Sequence, residues 1–366
     1  MIGYFLLIAW IFAAVRLSNI QVEPLFFRKK EFDANRKFLV LASVSIILLT
    51  GLRSISVGPD SDSYATYIEN LHNGMYLSGY ERFEKGFEWF SKAIAFMTGN
   101  YTIYFLIIAA IIMMCYALLI RRSAQNYFWP IYLYITIGPF VFQLTGLRQA
   151  MAMAICAASV IFVQKKKPIP FILLVLLAAQ FHTSAYVFLP LYFLGNIRLG
   201  SKSFFLFLGG VAGILFANEQ IISVSNQLLG YDKGYENAPG GIVSILVYVG
   251  SIVLAMLYKN NLFSDNMLKS DDKKELQQAQ YNTIFFNMSL IALLMLVMRY
   301  WMRSAERASK YYQIGAVLLL ANTICSIKDD RTRKVVKAIV GLLAIALFIY
   351  RQSKEDSAYV YSFFWQ

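Results

Sequence analysis

The chain has 366 residues, of which 58% are hydrophobic and only 15% are charged. An average soluble domain holds about 45–50% apolar and about 25% charged residues, and a soluble core of this size could not bury the apolar surplus, which excludes a soluble enzyme. The net charge of +13 would suit nucleic-acid binding, but the basic residues cluster between apolar runs, as in cytoplasmic loops of membrane proteins, so we expect no nucleic-acid partner.

Twelve apolar segments predict an all-α polytopic membrane protein in which residues 1–366 form one integral membrane domain. The segments lie at 2–16, 38–52, 101–120, 127–145, 149–163, 168–181, 183–196, 203–218, 241–258, 281–298, 311–327 and 335–350. Several are shorter than the ~20 residues of a straight span, so we expect some helices to begin or end in protein-lined cavities. Counting 168–196 as two helices puts most Lys and Arg residues in the cytoplasm and both termini outside.

The loops between these segments differ in character. In the outer loop 53–100, five apolar residues recur at helical spacing, which predicts an amphipathic helix lying on the outer membrane surface over residues 84–97. They are Phe83, Phe87, Phe90, Ile94 and Met97. The outer loop 219–240 is rich in glycine and tyrosine and is expected to be flexible, as a lid would be. The cytoplasmic loop 259–280 is polar and is expected to be a plain connector.

Arginines recur at the outer ends of the predicted spans. The tetrapeptide Thr-Gly-Leu-Arg occurs at Thr50–Arg53 and at Thr145–Arg148, each time expected to end an outward-going span, through an internal repeat or by chance. Arg299, Arg303 and Arg307 follow at i, i+4 and i+8, which predicts three guanidiniums on one face of one helix along about 12 Å. Such a face is either fully solvated or meets an anion, and planar guanidiniums bind phosphate oxygens bidentately.

Two further groups are candidates for acid–base chemistry. His182 lies at the tight outer turn between two predicted helices, where an imidazole is either hydrogen-bonded at the helix junction or available to take a proton near neutral pH. Asp60 and Asp62 follow Arg53 in a loop, and three alternatives stay open for them: ligating a cation, capping a helix, or binding sugar hydroxyls and acting as a base. The chain has no Gly-rich phosphate loop, HExxH or GxSxG motif that would indicate an NTPase, zincin or hydrolase.

The motifs, in order, are Gly-Leu-Arg before Gly-Pro-Asp-Ser-Asp-Ser-Tyr, Phe-Glu-Lys-Gly-Phe-Glu from Phe83, Gly-Leu-Arg-Gln from Gly146, Phe-His-Thr-Ser-Ala from Phe181, and an arginine-rich outer segment. From about residue 40 to 312, they resemble the EpsG-like branch of the Wzy-type polysaccharide polymerases, which make O-antigen, capsule or exopolysaccharide. The resemblance implies a GT-C-like membrane glycosyltransferase of the bacterial inner membrane. It implies transfer of a growing glycan from undecaprenyl pyrophosphate to a new lipid-linked repeat unit at the outer face.

The resemblance also implies roles for individual residues. The pyrophosphate would be bound by Arg148, Arg303 and Arg307, with Arg53 and Arg299 in support. The base that activates the acceptor hydroxyl would be His182 or Asp60. The acceptor sugar would be contacted by Asp62, Tyr64, Glu84 and Gln149. We expect no cofactor and no metal ion, because the arginines would neutralise the leaving pyrophosphate.

Other classes of protein remain alternatives at this stage. A lipid-linked oligosaccharide flippase or transporter would also be basic and many-spanning, but it should carry charged residues along a path through the bilayer. A membrane acyltransferase would leave the many arginines unexplained, and a scaffold in an export complex is compatible with the composition. The expected partners are an undecaprenyl-pyrophosphate-linked oligosaccharide and membrane lipid, and the resemblance adds a flippase and a chain-length regulator.

Overall fold

The computed structural model describes residues 2–18, 29–75, 83–198, 209–210, 212–213, 223, 242–264, 266–299, 304–354 and 360–366. The first helices are α1 (Ile2–Ser18), α2 (Lys29–Gly51), α3 (Ser61–His72), α4 (Lys85–Ala95), α5 (Tyr101–Ser123), α6 (Phe128–Thr136), α7 (Leu147–Gln164), α8 (Pro168–Ala179) and α9 (Leu191–Leu194). They are followed by α10 (Ile242–Leu257), α11 (Lys259–Leu262), α12 (Lys273–Met298), α13 (Ser304–Ser309), α14 (Gln313–Ser326) and α15 (Asp330–Lys354). Short 3₁₀ turns cover Phe142–Leu144, Thr183–Phe188, Met267–Lys269 and Lys310–Tyr312.

The structure is that of a helical membrane protein. Four helical stretches in the described part of the chain are long and apolar enough to cross a bilayer, namely Ala34–Gly51, Tyr101–Ser123, Leu147–Gln164 and Lys273–Met298. A fifth candidate span would consist of α10 and the helical segment Lys259–Lys269 after it, and the chain bends by 84° between the two. The predicted count of twelve spans is not established by these lengths and stays a prediction.

Helix α7 is one of the most buried helices of the bundle. It packs against α5 on one side and α8 on the other, and α5 packs in turn against α2. The segment Leu147–Gln164 is 83% buried, compared with 39% for Ala34–Gly51 at the periphery. Its many alanines allow this close approach, because small side chains let helix backbones pack tightly in membrane proteins. Residues at the first turn of α7 therefore lie in the middle of one end of the molecule.

The predicted span at 127–145 differs from the observed structure. Helix α6 ends at Thr136, and the chain continues to α7 as an irregular, largely buried segment. Side chains satisfy its polar groups: Tyr134 Oη donates to Gln143 Oε1 at 2.7 Å, and Gln313 Nε2 donates to the Ile137 carbonyl at 2.8 Å. Non-helical backbone inside a membrane protein requires such internal partners, and this segment has them.

The two described ends of the chain lie side by side next to the end of α2. Residues 360–366 pair with the segment that follows α2, since the Ser54 N–H donates to the Ser362 carbonyl at 2.9 Å. The ring of Tyr361 lies 2.5 Å from the position that a side-chain carbon on Gly3 would occupy. The beginning of α1 and the C-terminal segment are therefore on the same side of the bundle as Arg53. Which side of the membrane this is remains a prediction.

The first long loop contains α3 and α4, and the predicted amphipathic helix is α4. Its apolar stripe was expected to face the membrane surface, and this is wrong. Phe87 and Ile94 are buried, and the ring of Phe83 lies 5.0 Å from that of Tyr67 in α3. These residues hold α4 against the protein, while Met97, beyond the end of α4, is 70% exposed. Hydrophobic periodicity indicates a buried face without indicating what buries it.

Two predictions for other loops have different outcomes. Residues 259–280 were expected to be a plain connector, but they contain α11, a 3₁₀ turn and the start of α12, where Asp272 caps the helix by accepting from the Lys274 N–H at 2.8 Å. The predicted span at 203–218 and the predicted lid at 219–240 lie almost entirely outside the described residues.

Candidate functional site

Arg148 is the central side chain of the candidate site. It is the second residue of α7, and its Nη1 lies 2.5 Å from Glu84 Oε2. Both side chains are largely buried, with exposures of 18% for Arg148 and 15% for Glu84. The guanidinium also lies close enough to Tyr64 to oppose the rise in its pKa that burial causes, and it lies 4.2 Å above the ring of Phe83. A cation at the positive end of a helix dipole favours a nearby anion. In this structure that anion is the carboxylate of Glu84.

Glu84 is fixed by the way α4 docks on the end of α8. The Phe87 N–H donates to the Gln180 carbonyl at 3.0 Å. A Cβ on Gly86 would lie 2.4 Å from Gln180 Cβ, so only glycine permits this approach. The docking brings Glu84 Oε1 to 3.0 Å from the Thr183 N–H, which donates to it. The Phe-Glu-Lys-Gly-Phe motif therefore positions the carboxylate of Glu84 next to Arg148.

His182 lies next to this ion pair, at the start of the 3₁₀ turn Thr183–Phe188. Its Nδ1 is 2.6 Å from Ser184 Oγ, and Ser184 Oγ is 2.9 Å from Tyr311 Oη. The pKa of His182 is lowered to about 4, mainly by burial; Glu84 opposes this shift, and the nearby charges of Arg148 and Arg307 contribute to it. The imidazole is therefore neutral at pH 7.

Gln149 connects α7 to the segment that carries Arg307. Its Nε2 donates to the Arg307 carbonyl at 2.9 Å, while the Arg307 side chain is exposed. Its Oε1 is buried and has no hydrogen-bond partner among the residues that the structure describes. The contact brings an exposed guanidinium to the end of the bundle where Arg148 and His182 lie.

The prediction of arginines on one face of one helix is wrong for Arg299 and Arg307, which lie in different elements. Helix α12 ends at Met298 with Arg299 as its C-cap residue, and the next helix, α13, begins at Ser304. Arg299 forms an ion pair with Glu306, with 2.7 Å between Nε and Oε2. Arg303 lies outside the described residues.

Arg53 lies beneath the site and is completely buried. Its guanidinium donates to the carbonyl oxygens of Thr50 and Leu144, the latter at 3.2 Å, and lies 4.0 Å above the ring of Phe105. Burial lowers its pKa to about 10. The loop that follows Arg53 also packs closely against Leu144 at Gly58, which has a φ of +92°. A Cβ added at Gly58 would lie 2.4 Å from the Leu144 carbonyl oxygen. In this arrangement Arg53 fastens the irregular segment that leads to Arg148.

The two Thr-Gly-Leu-Arg copies occupy different structural positions. Thr50 and Gly51 end α2, whereas Leu147 and Arg148 begin α7. The expectation that both copies end an outward-going span is therefore wrong for the second copy. The copies are neighbours in space, because Gln143 Nε2 donates to Thr50 Oγ1 at 3.2 Å. They are not equivalent parts of a structural repeat.

Asp60 and Asp62 are exposed at the start of α3, with Asp60 in the N-cap position but without a side-chain cap hydrogen bond. Asp60 is close enough to influence Tyr64: burial raises the pKa of Tyr64, Arg148 opposes the shift, and the charge of Asp60 adds to it. Asp60 thus lies beside the Arg148 cluster with its carboxylate open to solvent. Within the described ranges no group of three or more His, Cys, Asp and Glu side chains is gathered.

Ser184 and Tyr311 were not singled out from the sequence, although both touch the site. Ser184 belongs to the quoted Phe-His-Thr-Ser-Ala motif, so its position next to His182 was visible. Tyr311 lies 127 residues further along the chain, and nothing in the local sequence distinguishes it from the other tyrosines.

Comparison with protein families gives one finding. The model of the EpsG family matches residues 36–364, which is nearly the whole chain. Comparison with curated proteins and with solved structures finds no match in either set. The chain therefore belongs to the EpsG family.

Proposed function

We propose that this EpsG-family protein is a polysaccharide polymerase that acts on lipid-linked glycans at the outer face of the bacterial inner membrane. The donor is a growing glycan on undecaprenyl pyrophosphate, and the acceptor is a hydroxyl of one new lipid-linked repeat unit. The bond between the anomeric carbon and the pyrophosphate oxygen breaks, and its electron pair leaves with the pyrophosphate. The acceptor oxygen forms the new glycosidic bond, and its proton passes to a base of the protein.

The observation that carries the proposal is the setting of Arg148. A largely buried guanidinium at the positive end of a central helix favours an anion. In the structure Glu84 is that anion, 2.5 Å away. A pyrophosphate oxygen has the same hydrogen-bonding character as a carboxylate oxygen and can replace Glu84 on the exposed part of Arg148. Exchange of one anion for another avoids leaving a bare buried charge.

The remaining arginines take different parts in the proposal. Arg307 is exposed and is proposed to bind the substrate pyrophosphate together with Arg148, and Arg303 belongs to the same arginine-rich segment. Arg53 supports the site indirectly, because its donors are directed at carbonyl oxygens of the loop before Arg148. Arg299 supports it through Glu306, which precedes Arg307 in α13. Asp62, Tyr64 and Gln149 are proposed to contact the acceptor sugar.

The base that takes the acceptor proton is proposed to be His182 or Asp60. Both lie beside the Arg148 cluster, and they differ in access to solvent, since Asp60 is exposed and His182 is half-buried. Chemistry of this kind needs no nucleotide sugar, and we propose that arginine guanidiniums supply the charge neutralisation that a metal ion supplies elsewhere. Twelve spans with a GT-C-like arrangement, and a flippase and chain-length regulator as partners, belong to the same proposal.

The test is polymerisation by purified protein in detergent, with lipid-linked repeat units as sole substrate and EDTA present. We expect a ladder of glycan chains. Arg148→Ala should lower its rate by roughly 10²–10³-fold, as for loss of a donor to developing negative charge. The matched control is Arg122→Ala, which removes an exposed guanidinium at the other end of α5 and should leave the ladder unchanged. A folded wild-type protein that makes no ladder but moves repeat units across vesicles would be a flippase instead.

A further inference from the structure

The hydrogen bonds of His182 fix which of its nitrogens carries a proton. Nδ1 lies 3.3 Å from the backbone nitrogen of Ser184, whose N–H can only donate. Nδ1 must therefore accept and carry no proton. A neutral imidazole has one N–H, and which nitrogen holds it is set by the partner of the other nitrogen. The proton of His182 is accordingly on Nε2.

The same backbone N–H determines the direction of the whole chain of hydroxyls. Since Nδ1 carries no proton, the 2.6 Å contact with Ser184 Oγ is made by the serine hydroxyl as donor. That uses the only proton of Ser184, so the 2.9 Å contact with Tyr311 Oη is made by the tyrosine as donor. The tyrosine hydroxyl of Tyr311 therefore donates to Ser184 Oγ, and the hydroxyl of Ser184 donates to His182 Nδ1. Tyr311 is 1% exposed, which keeps water from replacing it as the partner of Ser184.

Charged groups from three elements act on the imidazole of His182. The charged groups whose fields act on His182 are Glu84 from the start of α4, Arg148 from α7 and Arg307 from α13. Tyr311, from the turn before α14, is the titratable group that reaches it through Ser184. Nε2 has no hydrogen-bond partner among the described residues, so its N–H is available to an oxygen atom of a ligand.

We propose that Ser184 and Tyr311 are positioning residues that hold His182 as an Nε2–H donor, so that His182 binds an oxygen of the lipid-linked glycan and does not act as the base. The inference deepens the proposed polymerase function and rests on it for the identity of the ligand. It leaves the acceptor proton to a carboxylate, and Asp60 is the exposed one beside the cluster. The arrangement of protons itself is a property of the protein alone and is tested without substrate.

The first test is a long-range ¹H–¹⁵N correlation spectrum of protein labelled with ¹⁵N-histidine, which separates protonated from unprotonated ring nitrogens. The chain has only two histidines, and His72→Gln assigns them. His72 is an internal reference for the other tautomer. Its Nδ1 lies 2.7 Å from the Ala95 carbonyl oxygen, which can only accept a hydrogen bond, so Nδ1 of His72 must carry the proton. We expect the proton on Nε2 of His182 and on Nδ1 of His72. An Nδ1–H or a doubly protonated imidazole at His182 at pH 7 would overturn the proposal.

Variants then test the positioning residues. Ser184→Ala and Tyr311→Phe should each shift His182 toward a mixture of the two tautomers. The matched control is Tyr312→Phe, since the hydroxyl of Tyr312 is equally buried and donates to the Val187 carbonyl at 2.6 Å without touching Ser184 or His182. Tyr312→Phe should leave the His182 signals in place. The proposal fails if Ser184→Ala and Tyr311→Phe leave them unchanged too, or if the control shifts them as much.

Polymerisation distinguishes a donor from a base at His182. A glutamine amide nitrogen lies near the position of histidine Nε2 and donates but cannot take a proton, so His182→Gln should keep at least about a tenth of the wild-type rate. His182→Ala should lose roughly 10²–10³-fold, the usual cost of one lost donor to developing charge. Equal losses in both variants would assign the base to His182 and reject the proposal. Absence of polymerisation by the wild type, with the expected tautomers, would reject the polymerase function and keep the proton arrangement.

Discussion

At the scale of single residues, the same side-chain type has opposite roles in this protein according to burial. Arg53 and Arg148 end identical tetrapeptides, yet Arg53 is completely buried against carbonyl oxygens while Arg148 keeps part of its surface and pairs with a carboxylate. A buried guanidinium whose donors are taken by the backbone braces a loop. A partly exposed one whose anion can be exchanged is able to bind a ligand.

The lowered pKa of the half-buried His182 predicts a pH dependence of stability. Its pKa is lowered from 6.5 to about 4 in the folded protein, so the unfolded chain binds more protons between these values. Stability is therefore full above pH 6.5 and falls as the pH is lowered through 4. We expect the free energy of unfolding to be roughly 2–3 kcal/mol lower at pH 4 than above pH 6.5 because of this group. Thermal unfolding in detergent at pH 7 and pH 4.5 measures it.

The control for this prediction is the second histidine. His182→Gln should flatten the acid side of the stability profile, because it removes the group that gains a proton on unfolding. His72→Gln should keep the wild-type loss of stability between pH 7 and pH 4.5. An unchanged slope in His182→Gln would assign the acid sensitivity to other groups.

The sequence predicted which residues belong to the site better than it predicted how they are held. The family resemblance placed Arg148, Glu84 and His182 in one site, and the structure brings Glu84 into contact with Arg148 and with Thr183, the residue after His182. Gln149 follows Arg148 in α7 and contacts the Arg307 carbonyl. The burial of Arg53 was not visible, because a sequence does not reveal whether guanidinium donors meet water or carbonyl oxygens. Tyr311 was missed because its contact with Ser184 spans 127 residues.

At the scale of elements, α4 is the part of the fold that delivers Glu84. The spacing of its aromatic residues predicted a helix correctly, but the face was assigned to the membrane because periodicity shows only that a face is buried. The observed face packs on α3, while Trp89 on the other side is 70% exposed and Phe96 just past its C-terminal end is 91% exposed. Docking of α4 on the end of α8 depends on Gly86.

Gly86→Ala should therefore separate α4 from Gln180, because the added Cβ would lie 2.8 Å from the Gln180 carbonyl oxygen and 2.4 Å from its Cβ. We expect a loss of about 1–3 kcal/mol in stability, as for other overpacked contacts. Glu84 should move from Thr183, which lowers polymerisation as well. Thermal unfolding and the ladder assay measure the two effects.

Gly250→Ala is the matched control for this element. Gly250 lies in α10, and a Cβ there meets nothing within 4 Å. The alanine should leave the activity unchanged and raise stability by about 0.5–1 kcal/mol, since alanine is the better helix former. A Gly86→Ala protein that is as stable and active as Gly250→Ala would contradict the docking role of Gly86.

At the scale of the whole molecule, the bundle has two chemically different ends. One end gathers Arg148, Glu84 and His182 together with the paired chain termini. The other end carries the basic residues between helices, such as Arg121 and Arg122 at the end of α5. The positive-inside rule predicts that the basic end lies in the cytoplasm and the Arg148 end outside.

Cysteine labelling tests this orientation. In a background without Cys115, Cys156 and Cys325, a cysteine at Gln366 should react with a membrane-impermeant maleimide added to intact spheroplasts. A cysteine at Arg122 should react only after the membrane is opened. The reverse pattern would place the Arg148 cluster in the cytoplasm and contradict action on outward-facing glycans.

The most direct measurement of the central claim is the stoichiometry of the reaction in reconstituted vesicles. Purified protein would be given lipid-linked repeat units, and both free undecaprenyl pyrophosphate and new glycosidic linkages would be counted. The account predicts one released lipid pyrophosphate for each linkage formed, with both products lost together in Arg148→Ala. Repeat units that cross the bilayer without any new linkage or released pyrophosphate would contradict the polymerase and indicate a transporter.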